Sequence, residues 1–239
     1  MRLFNNKIEF RAWYENKNGV LLEPKPTITS LPEWYKKKKP LMNDAQKHVV
    51  NPDRTKNVTV KWCNPFGDAL GAGYFLFLEN DISVTVEDGV QDLTWINGGK
   101  NFISTHAKEQ VAPELIPEGY SDQPWKFMNT WSIKTPKGYS TTFTHPLNRP
   151  ELPFITLAGV VDTDDYNLPV HFPFLIKANF EGIIEAGTPI AQVIPFKRES
   201  WKAEIIDFDP DKKIQIEAPF LRKIFRPYKL LYWKRKEYK

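Results

Sequence analysis

Short runs of alternating apolar and polar residues recur along this chain, and turn residues separate them. The most regular runs follow one another between residues 124 and 200: PWKFMNTWSIK, GYSTTFTHP, FITLAGVVDT, HFPFLIKANF and GTPIAQVIPFKRE. Alternation with a period of two residues is typical of a strand with one buried face. Strands at this close spacing predict a compact β-sandwich or β-barrel.

The region from 46 to 112 has the same character and predicts a β-meander. KNVTVKW alternates and predicts a strand, as does IEFRAWY near the N-terminus. GAGYFLFLENDISVTVEDG predicts two strands joined at Glu79–Asp81 and followed by a turn at Asp88–Gly89. DLTWINGGKNFISTH predicts a further pair of strands joined at Asn97–Gly99.

The composition agrees with a β-rich chain that has a packed core. The 20 Pro and 12 Gly argue against long helices, and the 16 Phe and 8 Trp supply large core side chains. Pro219 and Pro227 limit any terminal helix to about two turns, because proline breaks helical hydrogen bonding. We therefore predict an all-β fold, or a β-rich one with one or two short helices.

Three segments differ in character along the chain. We expect a Pro-rich N-terminal arm over 1–45, a β-rich core over 46–200, and a basic, aromatic C-terminal tail over 201–239. The net charge is +4, and residues 220–239 alone contain eight Lys or Arg and one Glu. The rest of the chain is close to neutral, which argues against nucleic-acid binding over the whole surface.

Cysteine use and hydropathy bear on the compartment. Cys63 is the only cysteine, so an intrachain disulfide is excluded, and its apolar neighbours predict a small buried side chain. No apolar run reaches the length of a membrane span. The N-terminus lacks the apolar segment of a signal peptide, so we expect a protein that is not secreted.

The segment AGVVDTDDY places three carboxylates in one loop. Asp162, Asp164 and Asp165 lie directly before Tyr166, after a predicted strand. Asp side chains favour turns because they accept hydrogen bonds from nearby backbone N–H groups. The loop is therefore either a structural turn or a ligand-contacting site, and both interpretations stay open.

The order of motifs around this loop resembles the dUTPase and dCTP deaminase family. That family has a Gly-Val-Ile-Asp-x-x-Tyr-like loop, then a strand, then a Gly-x-x-Ile-Ala-Gln-Leu strand, and GAGYFLFLENDISV is distantly similar to its Ala-Gly-Tyr-Asp-Leu strand. The resemblance implies a β-clip core and an oligomer, usually a trimer. It also implies that Asp162 activates water. The predicted ligand-binding residues are Asp165, Tyr166, Asn148, Arg149 and Gln192.

The chain departs from the family where a nucleotide triphosphate would be bound. Two residues are inserted between Asp162 and Asp165, and HPLNRPELPF stands in place of the Arg-Ser-Ser motif. Asn148 and Arg149 in that segment could pair with the aspartates or cradle an anion. The Gly-rich C-terminal arm is missing, although a triphosphate needs several donors. We expect the fold to carry over without the reaction, and no cofactor, with Mg²⁺ required only if nucleotides are processed.

A second resemblance covers most of the chain. PKPTITSLPEWYKK, HPLNRPELPF, GVVDTDDY and GTPIAQVIPFKRE are similar to segments of a group of proteins from tailed bacteriophages and bacteria. This resemblance implies a bacteriophage origin, a virion structural protein, and a location in the virion or the host cytoplasm. It implies no particular activity.

Two further hypotheses concern a metal site and the tail. His145, Asp162 and His171 could form the facial triad of a cupin-like, metal-dependent oxygenase, although the compact His-x-Asp pair is missing. The tail mixes cations with aromatic rings, which suits single-stranded nucleic acid or a neighbouring subunit. We favour a subunit interface formed by Arg226, Tyr228, Tyr232, Trp233 and Arg235.

Taken together, these patterns predict a non-catalytic, β-rich structural or binding subunit. It would form a homo-oligomer or a larger protein assembly through its terminal arms. The alternatives are a dUTPase-like or deaminase-like enzyme that processes nucleotides, and the metal-dependent oxygenase.

Overall fold

The computed structural model describes residues 6–15, 21–42, 58–96, 103–221 and 226–239. The chain divides into two compact units. The first unit comprises residues 1–37, 69–198 and 238–239, and the second comprises 38–68 and 199–237. This division does not test the three predicted segments, whose boundaries stay a prediction.

Fourteen strands are present in the described ranges, and all of them belong to the first unit. In chain order they are β1 Glu9–Ala12, β2 Lys25–Pro26, β3 Tyr74–Phe77, β4 Ile82–Glu87, β5 Val90–Trp95, β6 Ile103–Thr105, β7 Trp125–Phe127, β8 Trp131–Lys134, β9 Tyr139–Thr144, β10 Phe154–Thr156, β11 Gly159–Val161, β12 Phe172–Ile176, β13 Gly182–Ile184 and β14 Pro189–Lys197.

The strands form four antiparallel sheets, so the prediction of a β-rich fold with few short helices is confirmed. The strand orders are β11-β9-β14-β3-β2, β10-β12-β7-β6, β13-β4-β5 and β1-β8. Within the described ranges no sheet closes on itself, so the predicted barrel is not formed.

Several strands were located correctly but do not pair as predicted. β3 and β4 follow one another across Glu79–Asp81, yet β3 joins the five-stranded sheet and β4 the three-stranded one. β5 and β6 also lie in different sheets, and Asn97–Gly99 lies outside the described residues. The hairpin of β4 and β5 at Asp88–Gly89 is confirmed, because both turn residues have positive φ, as a tight hairpin turn requires.

The helices are α1 Glu33–Lys37, α2 Asn64–Leu70 and α3 Pro210–Leu221, with 3₁₀ turns at Thr27–Ser30, Val60–Trp62, Lys108–Gln110 and Pro113–Leu115. The predicted strand in KNVTVKW is wrong, since a 3₁₀ turn occupies Val60–Trp62 and α2 follows from Asn64. Pro65 at the second position of α2 suits a helix start. α3 is longer than predicted and contains Pro219. Its start is fixed by Asp209, whose side chain accepts from the backbone N–H of Lys212 at 3.0 Å. No helix in the described part of the chain has the length and apolarity to cross a bilayer.

The core of the first unit is built mainly from aromatic rings. Phe127 and Phe174 stack in parallel with centroids 3.6 Å apart, and Phe154 meets both edge-on at 5.2 and 5.9 Å. All three side chains are almost completely buried. Such rings contribute large buried apolar areas and favourable edge contacts. The core therefore provides a rigid support for the loops at the sheet edges.

Candidate functional site

The acidic loop and the Gln192 strand belong to one sheet. β11, which leads into Asp162, pairs with β9, and β9 pairs with β14, which carries Gln192. The register places Val161 opposite Thr141 and Lys197 opposite Tyr139. As a result the end of β11, the start of β9 and the end of β14 meet at one corner. We call residues 162–166 the acidic corner.

Asp164 is the buried member of the acidic corner, with a side chain only 1% exposed. Both of its carboxylate oxygens accept from the guanidinium of Arg198, one at 2.8 Å. The backbone N–H of Gly138 donates to Asp164 Oδ2 at 2.8 Å, and the Lys134 ammonium donates to its backbone carbonyl. A bidentate guanidinium–carboxylate pair is the strong geometry for such contacts. Asp164 therefore fastens β14 to the turn between β8 and β9.

The electrostatics of the pair follow from these contacts. Hydrogen bonds from Arg198 and from the Gly138 N–H stabilise the carboxylate and hold the pKa of Asp164 far below its usual range. The same carboxylate raises the pKa of Arg198. Both side chains therefore stay charged over the whole physiological range.

The neighbouring polar side chains complete a bonded network. Ser140 Oγ donates to Asp162 Oδ1 at 2.6 Å, and Arg198 lies 3.2 Å from the same oxygen. Thr163 is buried, and its hydroxyl lies 2.8 Å from that of Thr135 and 2.7 Å from that of Thr141. This network is what a structural turn requires. It accounts for two of the residues, Asp162 and Asp164, without a ligand.

The outer side of the corner is open to solvent. The side chain of Asp162 is 67% exposed, and Asp165 and Tyr166 are exposed as well. The backbone N–H groups of Asp165 and Tyr166 both donate to the carbonyl of Asp162, which holds the two residues side by side. The corner thus presents two accessible carboxylates and a phenol. A bound polyphosphate would meet more negative charge than Arg198 and Lys134 offset.

Arg149 has a structural role away from the aspartates. Its guanidinium donates to Glu151 and to the carbonyl of Ser30, and it lies over the Phe75 ring at 5.9 Å. Glu151 also accepts from the Trp34 indole at 3.1 Å. Arg149 is therefore not the partner of the acidic corner, which is Arg198. It ties the N-terminal segment to the five-stranded sheet.

Asn148 directly precedes Arg149 in an exposed turn. Its φ is +57°, a left-handed conformation that Asn adopts more readily than most residues. This backbone conformation accounts for an asparagine at position 148. The predicted role of Asn148 in ligand binding stays a prediction.

Gln192 is completely buried, and its amide is bonded within the protein. Its Oε1 accepts from the backbone N–H of Leu147 at 2.8 Å, and its Nε2 donates to the carbonyls of Ala69 and Ala72. The side chain joins β14 to the end of α2 and to the loop after β9. A ligand would reach it only if this packing opened.

The two histidines of the metal hypothesis have separate surroundings. His145 accepts from the backbone N–H of Thr156 at 3.3 Å and meets the edge of Phe154, and burial lowers its pKa. His171 directly precedes β12. Partial burial of its ring and the charge of Lys126 lower its pKa. Among the described residues no three His, Cys, Asp or Glu side chains are arranged to hold a metal ion. The oxygenase hypothesis gains no support from this arrangement.

The five residues of the predicted tail interface lie in the second unit. Arg226 lies over the Trp62 ring at 5.3 Å, and the Trp233 indole donates to Asp68 at 2.9 Å. Arg235 pairs with Glu237 at 2.9 Å. Tyr228 and Tyr232 are exposed in a short π-helical turn, Tyr228–Tyr232. Their roles at an interface and the contact of the tail with nucleic acid both stay predictions.

A cavity of about 340 Å³ lies inside the second unit. Residues around Trp62 line one part of it, and residues from Arg226 to Lys229 line another. Cys63 also lines it and is exposed, so the prediction of a buried thiol is wrong. The reason is that residues near Cys63 form a 3₁₀ turn and a helix rather than the strand on which that prediction depended.

The first part of the predicted tail, shortly after β14, has an unusually exposed surface, and the sequence patterns did not single it out. Residues 201–216 form what we call the exposed segment. Its six large apolar side chains are 56% to 100% exposed: Trp201, Ile205, Ile206, Phe208, Ile214 and Ile216. Large apolar side chains that are left this exposed mark interaction surfaces. The concentration of Trp, Ile and Phe in this short stretch was the available signal.

Comparison with known proteins adds little to this description. No family model matches the chain, and the curated proteins give no match either. Among solved structures, the chain is similar to the native dUTPase of EIAV, with 14% identity and a TM-score of 0.31. The match covers 57% of this chain and 83% of that chain. At this identity and TM-score the likeness supports no inference about activity.

Proposed function

We propose that the chain is a non-catalytic, β-rich subunit that assembles with further copies of itself through the exposed segment. The observation that carries the proposal is the exposure of Trp201, Ile205 and Phe208, at 88%, 100% and 75%. Leaving such side chains in water costs roughly 1.5–3 kcal/mol each relative to burial. Association that covers several of them is therefore strongly favoured. A bacteriophage structural role is one form that this function could take.

Light scattering of the purified chain over a wide concentration series tests the proposal. We expect a mass of more than one chain, and a return to one chain in the triple variant Trp201→Ser, Ile206→Ser and Phe208→Ser. A matched control changes three apolar side chains that are exposed elsewhere, Val90, Leu168 and Ile183, to Ser. The control is expected to assemble like the unaltered protein. A single-chain mass at every concentration would refute the proposal.

A second candidate function is nucleotide processing at the acidic corner. It is supported by the exposed side chains of Asp162 and Tyr166, which lie in the loop whose sequence resembles the dUTPase motif. Mg²⁺ prefers carboxylate and phosphate oxygens, so Asp162 and Asp165 could hold the ion only together with nucleotide phosphates. Incubation with a panel of deoxynucleotides and Mg²⁺ tests this candidate. Turnover that is lost in Asp162→Asn would support it, and the absence of turnover and of thermal stabilisation would eliminate it.

A further inference from the structure

The cavity of the second unit and the central part of the exposed segment carry opposite charges. Residues 204–209 contain three Asp or Glu and no Lys or Arg, whereas residues 226–239 contain six Lys or Arg and one Glu. The cavity lining includes Arg226 and Lys229 from this basic stretch, together with the aromatic side chains of Trp62 and Tyr228. The site is therefore suited to a peptide that alternates large apolar side chains with carboxylates.

The exposed segment contains such a peptide. Residues 204–209 read EIIDFD, and residues 201–209 form neither helix nor strand. In an extended chain, side chains two positions apart point to the same side. Ile206 and Phe208 would then share one side, and Asp207 and Asp209 the other. Extended peptides bind grooves in this manner, with apolar side chains in the pockets and charges at the edges.

We propose that residues 204–209 of one copy bind in the cavity of a second copy. Ile206 and Phe208 occupy the cavity, and Asp207 pairs with Lys229. The inference rests on the proposed function, for which it names the contact. Within a single chain neither side chain lines the cavity, and Ile206 and Phe208 are 74% and 75% exposed.

Disulfide trapping tests this contact directly, since Cys63 lines the cavity and is the only cysteine. The variant Phe208→Cys, oxidised under mild conditions, should form a covalent dimer linked between Cys63 and position 208. Ile206→Cys provides a second probe on the same side of the peptide and leaves Phe208 in place. Ile183→Cys, at an exposed position in β13, is the matched control and should not link to Cys63. Peptide mapping identifies the linked positions.

The outcomes separate this inference from the proposed function. A 63–208 or 63–206 link in a product of two-chain mass supports the contact, whereas the same link in a product of one-chain mass overturns the assignment to a second copy. If light scattering shows assembly but neither probe links to Cys63, the cavity is not the binding site and the proposed function survives. If no assembly occurs, both fail.

A charge exchange tests the ion pair. Lys229→Glu should lower the yield of the 63–206 link about fivefold, as expected for the loss of one exposed ion pair. Adding Asp207→Lys to that variant should restore the yield. An unchanged yield in Lys229→Glu, or no recovery in the double variant, would contradict the pairing of these two side chains.

Discussion

At the scale of single residues, the close approach of β3 and β14 depends on one glycine. A Cβ atom added to Gly73 would lie 1.9 Å from the carbonyl oxygen of Val193. Its φ of +70° is also in the left-handed region, which other residues occupy at a cost. Both observations require glycine at this position, where the sequence only suggested a similarity to a family motif.

We predict that Gly73→Ala lowers the free energy of unfolding by about 3 kcal/mol or more, because steric overlap adds to backbone strain. Gly119→Ala is the matched control, since Gly119 has a φ of +83° but no atoms within 4 Å of the added Cβ. The control should lose only about 1 kcal/mol. Urea denaturation measures both values. Equal losses in the two variants would show that backbone strain alone determines the effect.

A second residue, Glu79, makes stability depend on pH. Its carboxyl is buried, accepts from the Thr130 hydroxyl, and has one oxygen without a partner among the described residues. Burial raises its pKa. The folded state therefore keeps a proton that the unfolded state releases as the pH rises above the ordinary value of 4.5.

We predict that Glu79→Gln removes part of the fall in the free energy of unfolding that occurs as the pH rises from the ordinary value of 4.5 towards neutral pH. The Gln side chain is neutral at every pH, so its burial does not make the free energy of unfolding depend on pH. Glu181→Gln, at an exposed position, should follow the pH profile of the unaltered protein. Denaturation curves across this range provide the measurement. Parallel profiles for Glu79→Gln and the unaltered protein would contradict the interpretation.

At the scale of elements, the acidic corner shows what sequence patterns can and cannot provide. Alternation located β9 and β14 and the turn that contains Asp162, but it predicted one strand in FITLAGVVDT, where the structure has β10 and β11 in two different sheets. It did not identify Arg198, because the pairing partner of that residue depends on the register between distant strands. Directly after the end of β14, the backbone N–H of Arg198 donates to the carbonyl of Gly138 in the turn before β9, at 2.8 Å, so the guanidinium reaches Asp164. Likewise, the pairing of β3 with β14 rather than β4 is a tertiary preference that no local turn signal encodes.

We predict that Asp164→Asn destabilises the protein at neutral pH far more than Asp165→Asn, its exposed neighbour. The substitution removes the buried one of the two carboxylates that pair with Arg198 and leaves only the exposed Asp162. Because the pKa of Asp164 is lowered in the folded state, its contribution is present above the ordinary value of 3.8 and is lost as the pH falls below it. The difference in melting temperature between Asp164→Asn and the unaltered protein should therefore narrow in acid. A constant difference would contradict this origin.

At the scale of the whole molecule, the two units have different physical characters. The first contains all the described strands and an aromatic core, and its polar side chains at the acidic corner are largely bonded to one another. The second includes the exposed segment, whose apolar side chains have no such cover. The fold class followed from alternation and composition, whereas this contrast did not. Exposure depends on which surfaces meet in three dimensions, and the charge pattern directed attention to residues beyond 220 instead.

Hydroxyl-radical footprinting over a concentration series tests the central claim most directly, because it measures the exposure of individual side chains. Trp201 is 88% exposed in a single chain and Trp13 is 48% exposed, so Trp13 serves as an internal reference. We predict that Trp201 is oxidised more slowly than Trp13 at high concentration and faster on dilution. If Trp201 is the more reactive residue at every concentration, the exposed segment is not covered by assembly and the proposed function is wrong.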